Sequence, residues 1–120
     1  MAGHLLVVDD DPDIRGVLVL ILAGEGWRVI TARDGQEALG AIAADPPRLV
    51  LLDLSMPIVD GWAVLATLRE RCIDVPVIVL TAGTGADAAA LTPPAVAALQ
   101  KPFDVDDLLA AVSRALAASG

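Results

Sequence analysis

The chain has 120 residues, 56% of them apolar, with 16 acidic side chains against 8 basic ones and a net charge of −8. This length predicts one domain over residues 1–120 with a proper core, and the acidity excludes nucleic acid as a ligand, because phosphate contacts need clustered Lys and Arg. A single cysteine, Cys72, and a single histidine, His4, exclude an internal disulfide and a zinc site; the longest apolar run, Val17 to Ala23, is too short to span a bilayer and Met1 opens no basic leader, so the expectation is a cytoplasmic protein with no membrane contact.

Leu5 to Val8 reads as a short apolar strand that runs into Asp9-Asp10-Asp11-Pro12-Asp13. Asp11 before Pro12 is a helix start, an N-cap acceptor followed by proline at the first helical position. That gives Asp11 a structural role and leaves Asp9 and Asp10 without one. The helix runs to about Ala23, with Ile14, Val17, Leu18, Ile21 and Leu22 on its inner face, and Gly24-Glu25-Gly26 ends it. Val19 and Leu20 make its outer side unusually apolar, the mark of a partner surface. Trp27 to Thr31 predicts a second strand at or near an edge. Asp34-Gly35 is a turn, and Gln36 to Ala44 a short helix with Ala38, Leu39 and Ile42 inward.

Leu49 to Leu52 is a purely apolar run bounded by Pro46-Pro47 and Pro57, as expected of a strand buried on both faces. Asp53 ends it, as a nucleophile, a metal ligand or a cap for the following turn. Asp60-Gly61 opens a helix to about Arg71 that buries Leu65 and Leu68, with Trp62 as a packing anchor. Val75 to Leu80 is a fourth strand, ending in Thr81-Ala82-Gly83. Between Gly83 and Pro94 at most two helical turns fit, over Ala86 to Leu91, so the fourth helix is expected to be short or irregular. Ala95 to Leu99 is a fifth, poorly marked strand leading into Gln100-Lys101-Pro102-Phe103. The last helix runs from its N-cap Asp104 to Ala117, with Leu108, Leu109, Val112 and Leu116 inward.

Strand and helix alternating five times predict an α/β fold, a doubly wound parallel sheet with helices on both faces. The carboxyl ends of the strands then share one edge, where such sheets bind ligands. That edge receives Asp9, Asp10, Asp53, Thr81 and Lys101, the only lysine in the chain. Three carboxylates in one cleft repel, and an all-oxygen set suits Mg²⁺. An Asp beside a metal can act as a nucleophile toward a phosphoryl group. Lys101 would then pair with the phosphoryl oxygens and the Thr81 hydroxyl would donate to another.

The ordered set Val7-Val8-Asp9-Asp10-Asp11-Pro12, Asp53-x-x-Met56-Pro57-x-x-Asp60-Gly61, Thr81-Ala82 and Lys101-Pro102-Phe103 resembles the receiver domain of two-component response regulators over essentially the whole chain. The resemblance implies a flavodoxin-like, CheY-like fold with strand order 2-1-3-4-5. It implies that Asp53 accepts phosphate from a phosphohistidine on a sensor histidine kinase or a histidine phosphotransfer protein. It implies Mg²⁺ held by Asp10, Asp53 and the Ser55 carbonyl, with Asp9 acting through a metal-bound water, and a cis peptide at Lys101-Pro102. A downstream protein or effector domain stays unidentified, and a dimer formed on phosphorylation stays open.

Two features depart from the family pattern. Ala98 stands three residues before Lys101, where the family usually has Tyr or Phe, and the chain has no Tyr at all. The stretch from Thr81 to Lys101 is also shorter than the family norm. The leading expectation is a phosphorylation-dependent switch that is not an enzyme beyond its own phosphorylation and dephosphorylation. The alternative is a phosphate-independent pseudo-receiver, an interaction module with a vestigial site. A phosphatase with an aspartate nucleophile is disfavoured, because Ser55 occupies the place of its general acid.

Overall fold

The computed structural model describes residues 3–54, 61–81 and 94–119. Within them lie β1 (Leu5–Val8), α1 (Pro12–Gly24), β2 (Val29–Ala32), α2 (Gly35–Ala44), β3 (Leu49–Asp53), α3 (Gly61–Glu70), β4 (Val77–Thr81), β5 (Ala95–Gln100) and α4 (Val105–Ser119). The strands form one parallel sheet in the order β2-β1-β3-β4-β5, as expected. The short helix expected over Ala86 to Leu91 lies outside the described residues.

Side chains of a strand alternate between its two faces. Both faces here are apolar, so β1, β3 and β4 are buried along their whole length. Leu6, Val8, Val50, Leu52, Val77 and Val79 pack under α2 and α3. Leu5, Val7, Leu49, Leu51, Ile78 and Leu80 pack under α1 and α4. With about 25 cal/mol for each Å² of apolar surface removed from water, these two slabs hold the central strands rigidly. The same packing places the residues that end these strands, Asp53 and Thr81, along one edge of the sheet.

Helix starts follow the local chemistry. The Asp11 side chain accepts from Asp13 N–H, with Pro12 at the first helical position of α1. Asp104 accepts from Asp107 N–H at the start of α4. The pair read as a turn, Asp34-Gly35, does more: Asp34 caps α2 by accepting from Glu37 N–H.

Several expectations are corrected. β2 begins at Val29 rather than Trp27, because Trp27 N–H donates to Leu22 O and closes the end of α1 instead of joining the ladder. Val17 is 55% exposed: Leu18 and Leu22 carry the contact of α1 with the sheet, and Val17 falls to its side. Val19 is half-buried, whereas Leu20 stands 75% exposed on the outer face. Trp62 is no packing anchor but 41% exposed, since Val64, Leu65 and Leu68 define the buried face of α3. In β5 the register slips opposite Val77 and Ile78, leaving Val96 unpaired and exposed. His4 is buried just before β1, its Nδ1 3.8 Å from the Asp45 carboxylate at the end of α2.

Candidate acceptor site

The carboxyl edge of the sheet gathers the residues that the sequence assigned to it. Asp9 directly follows β1, and its N–H donates to Ala32 O, extending the pairing with β2 by one residue. Its side chain is fully buried. Burial of a carboxylate demands compensation, and Asp9 receives it from two directions. Asp11 N–H donates to Oδ1 at 2.9 Å, and Lys101 Nζ lies 3.3 Å from Oδ2. The Arg15 guanidinium, one turn into α1, donates to the Asp9 carbonyl at 2.8 Å.

Asp53 is the last residue of β3, only 3% exposed, and its Oδ1 lies 3.5 Å from Lys101 Nζ. Asp10 is exposed at the mouth of the cleft. Carboxylate oxygens of Asp9, Asp10 and Asp53 all lie within 4.8 Å of one another. Thr81 ends β4 and is buried; its carbonyl accepts from Lys101 N–H at 2.6 Å, which ties the start of the β5–α4 connection to the edge. The Lys101-Pro102 peptide is cis, as the resemblance implied. Ser55, the remaining expected ligand, lies outside the described residues, as do Ala82 and Gly83.

The electrostatics are lopsided. Like charges about 4 Å apart repel by roughly 4 kcal/mol at the effective dielectric of a protein surface. Three carboxylates against the one ammonium of Lys101 give this group of described residues a net negative charge. An all-oxygen cluster with that excess fits a hard divalent cation such as Mg²⁺, which takes carboxylates together with waters. Asp9, Asp10 and Asp53 are the described residues able to hold it.

Beside Lys101 a groove of about 660 Å³ runs between α1 and the start of α4. Ile14, Val17, Ile21, Phe103 and Val105 line it together with Lys101, whose Nζ also meets Asp9 and Asp53.

Sequence reasoning missed two residues at this edge. Arg15 meets the Asp9 carbonyl from six residues away, a distance for which no local motif exists. Gly61 looked like an ordinary turn residue, but it packs against the Asp53-Leu54 backbone. Its signal was the Asp60-Gly61 step, part of the motif that carries the resemblance but read there only as a turn and helix start.

Fold and edge together define a doubly wound α/β protein with an acidic cleft at its topological switch point, where the chain order reverses around β1 and β3. The chain belongs to the response regulator receiver domain family of two-component systems, whose family model matches residues 5–113. It is 43% identical over 116 residues to the DNA-binding transcriptional regulator NtrC of Salmonella typhimurium, an alignment covering 95% of this chain and 25% of that protein. The chain thus spans about a quarter of the length of the NtrC relatives it matches. Among solved structures, the receiver domain of the Francisella response regulator 1452 superposes with a TM-score of 0.91 at 31% identity, covering 98% of this chain and 99% of that one. The Thermotoga maritima response regulator TrrA, solved in complex with Mg²⁺ and BeF, gives a TM-score of 0.86 at 34% identity over 95% of this chain and 99% of that one.

Proposed function

We propose that this receiver domain is a phosphorylation-dependent switch in which Asp53 takes a phosphoryl group from a phosphohistidine on a sensor histidine kinase or a histidine phosphotransfer protein in the cytoplasm. The observation that carries this reading is the buried Asp53 carboxylate 3.5 Å from the Lys101 ammonium, inside a three-carboxylate cleft. An Asp53 oxygen attacks phosphorus as the phosphorus–nitrogen bond to the donor imidazole breaks. The electron pair returns to the imidazole nitrogen, which takes up a proton. Lys101 Nζ is placed to pair with the phosphoryl oxygens, and Thr81, at the end of the neighbouring strand, offers them its hydroxyl. Bound Mg²⁺ supplies the positive charge that offsets repulsion between the carboxylates and the incoming phosphoryl oxygens. TrrA, a receiver of the same fold solved in complex with Mg²⁺ and BeF, supports a Mg²⁺-dependent reading.

The donor docks along α1. Leu20 and Val17 are exposed there, and Val17 also lines the apolar groove that Lys101 shares with the cleft. A donor with an apolar centre and a basic rim fits a chain of net charge −8. The bound phosphoryl group adds about two negative charges to the cleft, and the domain turns over nothing but that group. The change is read by a partner or by an effector domain on the same protein.

The test is intact mass after incubation with acetyl phosphate, with and without Mg²⁺, on wild type and Asp53→Asn. One added phosphoryl group is expected in wild type with Mg²⁺ and none in Asp53→Asn. Half-buried Ala98, where the family has an aromatic switch, favours a second reading, the phosphate-independent module. No adduct, together with no beryllofluoride complex, would establish that reading instead.

A further inference from the structure

The amino end of α3 presses against the end of β3 more closely than any side chain allows. Gly61 N–H donates to the Leu54 carbonyl at 3.3 Å. A Cβ added to Gly61 would stand 2.5 Å from the Asp53 carbonyl oxygen, 2.6 Å from Leu54 Cα and 2.9 Å from Leu54 Cδ2. The two nearest atoms belong to the main chain, so no change of rotamer relieves the overlap. Gly16 and Gly40, by contrast, have nothing within 4 Å of such a Cβ.

Anchoring decides which part would give way. Val64, Leu65 and Leu68, all without exposed surface, hold α3 against the sheet. Moving the helix would open a cavity along that whole face. The end of β3 has less to resist with among the described residues: beyond Asp53 it is held by Leu54 N–H to Leu80 O at 3.0 Å and by one buried side chain, Leu54, against the three of α3. The Asp53-Leu54 backbone is therefore the part that shifts. The Asp53 carboxylate rides on it, 3.5 Å from Lys101 Nζ and within 4.8 Å of the Asp9 and Asp10 oxygens.

We infer that Gly61 is a positioning residue for the reaction of Asp53: its missing Cβ lets α3 seat the Asp53-Leu54 backbone where the carboxylate meets Lys101, Asp9 and Asp10. The inference rests on Asp53 being the phosphoryl acceptor. A misplacement of about 1 Å in a reacting group costs on the order of 10²-fold in rate.

The test compares Gly61→Ala, Gly16→Ala and Gly40→Ala with wild type, using acetyl phosphate and intact mass for the rate and calorimetry for Mg²⁺ affinity. All are measured at a temperature where circular dichroism shows each chain fully folded. Gly61→Ala is expected to label roughly 10²-fold more slowly and to bind Mg²⁺ more weakly, while the other two match wild type. Labelling and Mg²⁺ binding at wild-type levels in folded Gly61→Ala overturn the inference, since a merely structural glycine would lower the melting point and nothing else. If Gly61→Ala does not fold, it is placed in a Gly16→Ala, Gly40→Ala background, which gains helix propensity. Independently of any variant, the Gly61 amide resonance of the wild-type chain is expected to shift when Mg²⁺ is added; a stationary resonance overturns the inference too. Should wild type itself take no phosphoryl group, the proposed function fails, and the Mg²⁺ titrations still decide the role of Gly61.

Discussion

Leu52 and Asp53 are neighbours in β3, and both are almost without exposed surface, at 0% and 3%. Leu52 belongs to the interior of the sheet, where its neighbours on either side are also aliphatic: Val8 in β1 and Val79 in β4. Asp53 belongs to the carboxyl edge, surrounded by Asp9, Asp10 and Lys101. Equal burial thus serves opposite ends. In the interior, exclusion of water is itself the stabilising effect. At the edge, the same exclusion makes every charge interaction stronger and leaves an acidic excess that stabilises only when a cation arrives. The interior holds the frame, and the edge stores an electrostatic imbalance that chemistry can use.

The largest effect that sharpens this contrast lies in the interior. Leu51→Ala, at a position with no exposed surface in the slab beneath α1 and α4, is expected to cost about 2–5 kcal/mol of stability. Urea unfolding would measure it, and a loss well below that range would show that the slab relaxes around the cavity.

The next effect belongs to the edge. Mg²⁺ at about 100 times its dissociation constant should stabilise wild type by about 2.7 kcal/mol, and Asp53→Asn by much less. Melting curves with and without Mg²⁺ read this directly. A midpoint indifferent to Mg²⁺ would sink the view of the edge as a cation site.

The smallest effect on stability is expected outside both regions. Leu20→Asp, on the exposed side of α1, should change stability by no more than about 0.5 kcal/mol. It should slow transfer from a phosphohistidine donor while leaving labelling by acetyl phosphate unchanged. Equal slowing with both donors would move Leu20 from the docking surface to the cleft.

Much of the fold was legible because its signals are local. Continuous aliphatic runs marked β1, β3 and β4, and Asp11 and Asp104 announced helix starts by their own hydrogen bonds. Helix faces were less legible. Val17 and Trp62 were expected inside and are exposed, because an apolar residue at the border of a helical stripe is buried or not according to how the helix lies on the sheet. The strand boundary at Val29 depended in the same way on Trp27 N–H finding Leu22 O.

The sequence by itself determined which residues reach the carboxyl edge, since a strand's length and the polar residue that ends it are set within a few positions. Four strand ends named Asp9, Asp10, Asp53, Thr81 and Lys101 in advance. Only the tertiary structure decided how they meet. Lys101 reaches Asp9 across 92 residues of chain, Arg15 holds the Asp9 carbonyl, and Gly61 admits α3 to the Asp53 backbone. Such distances depend on the pairing register and on how closely helix and sheet pack, properties of the assembled layers that no single stretch of sequence contains.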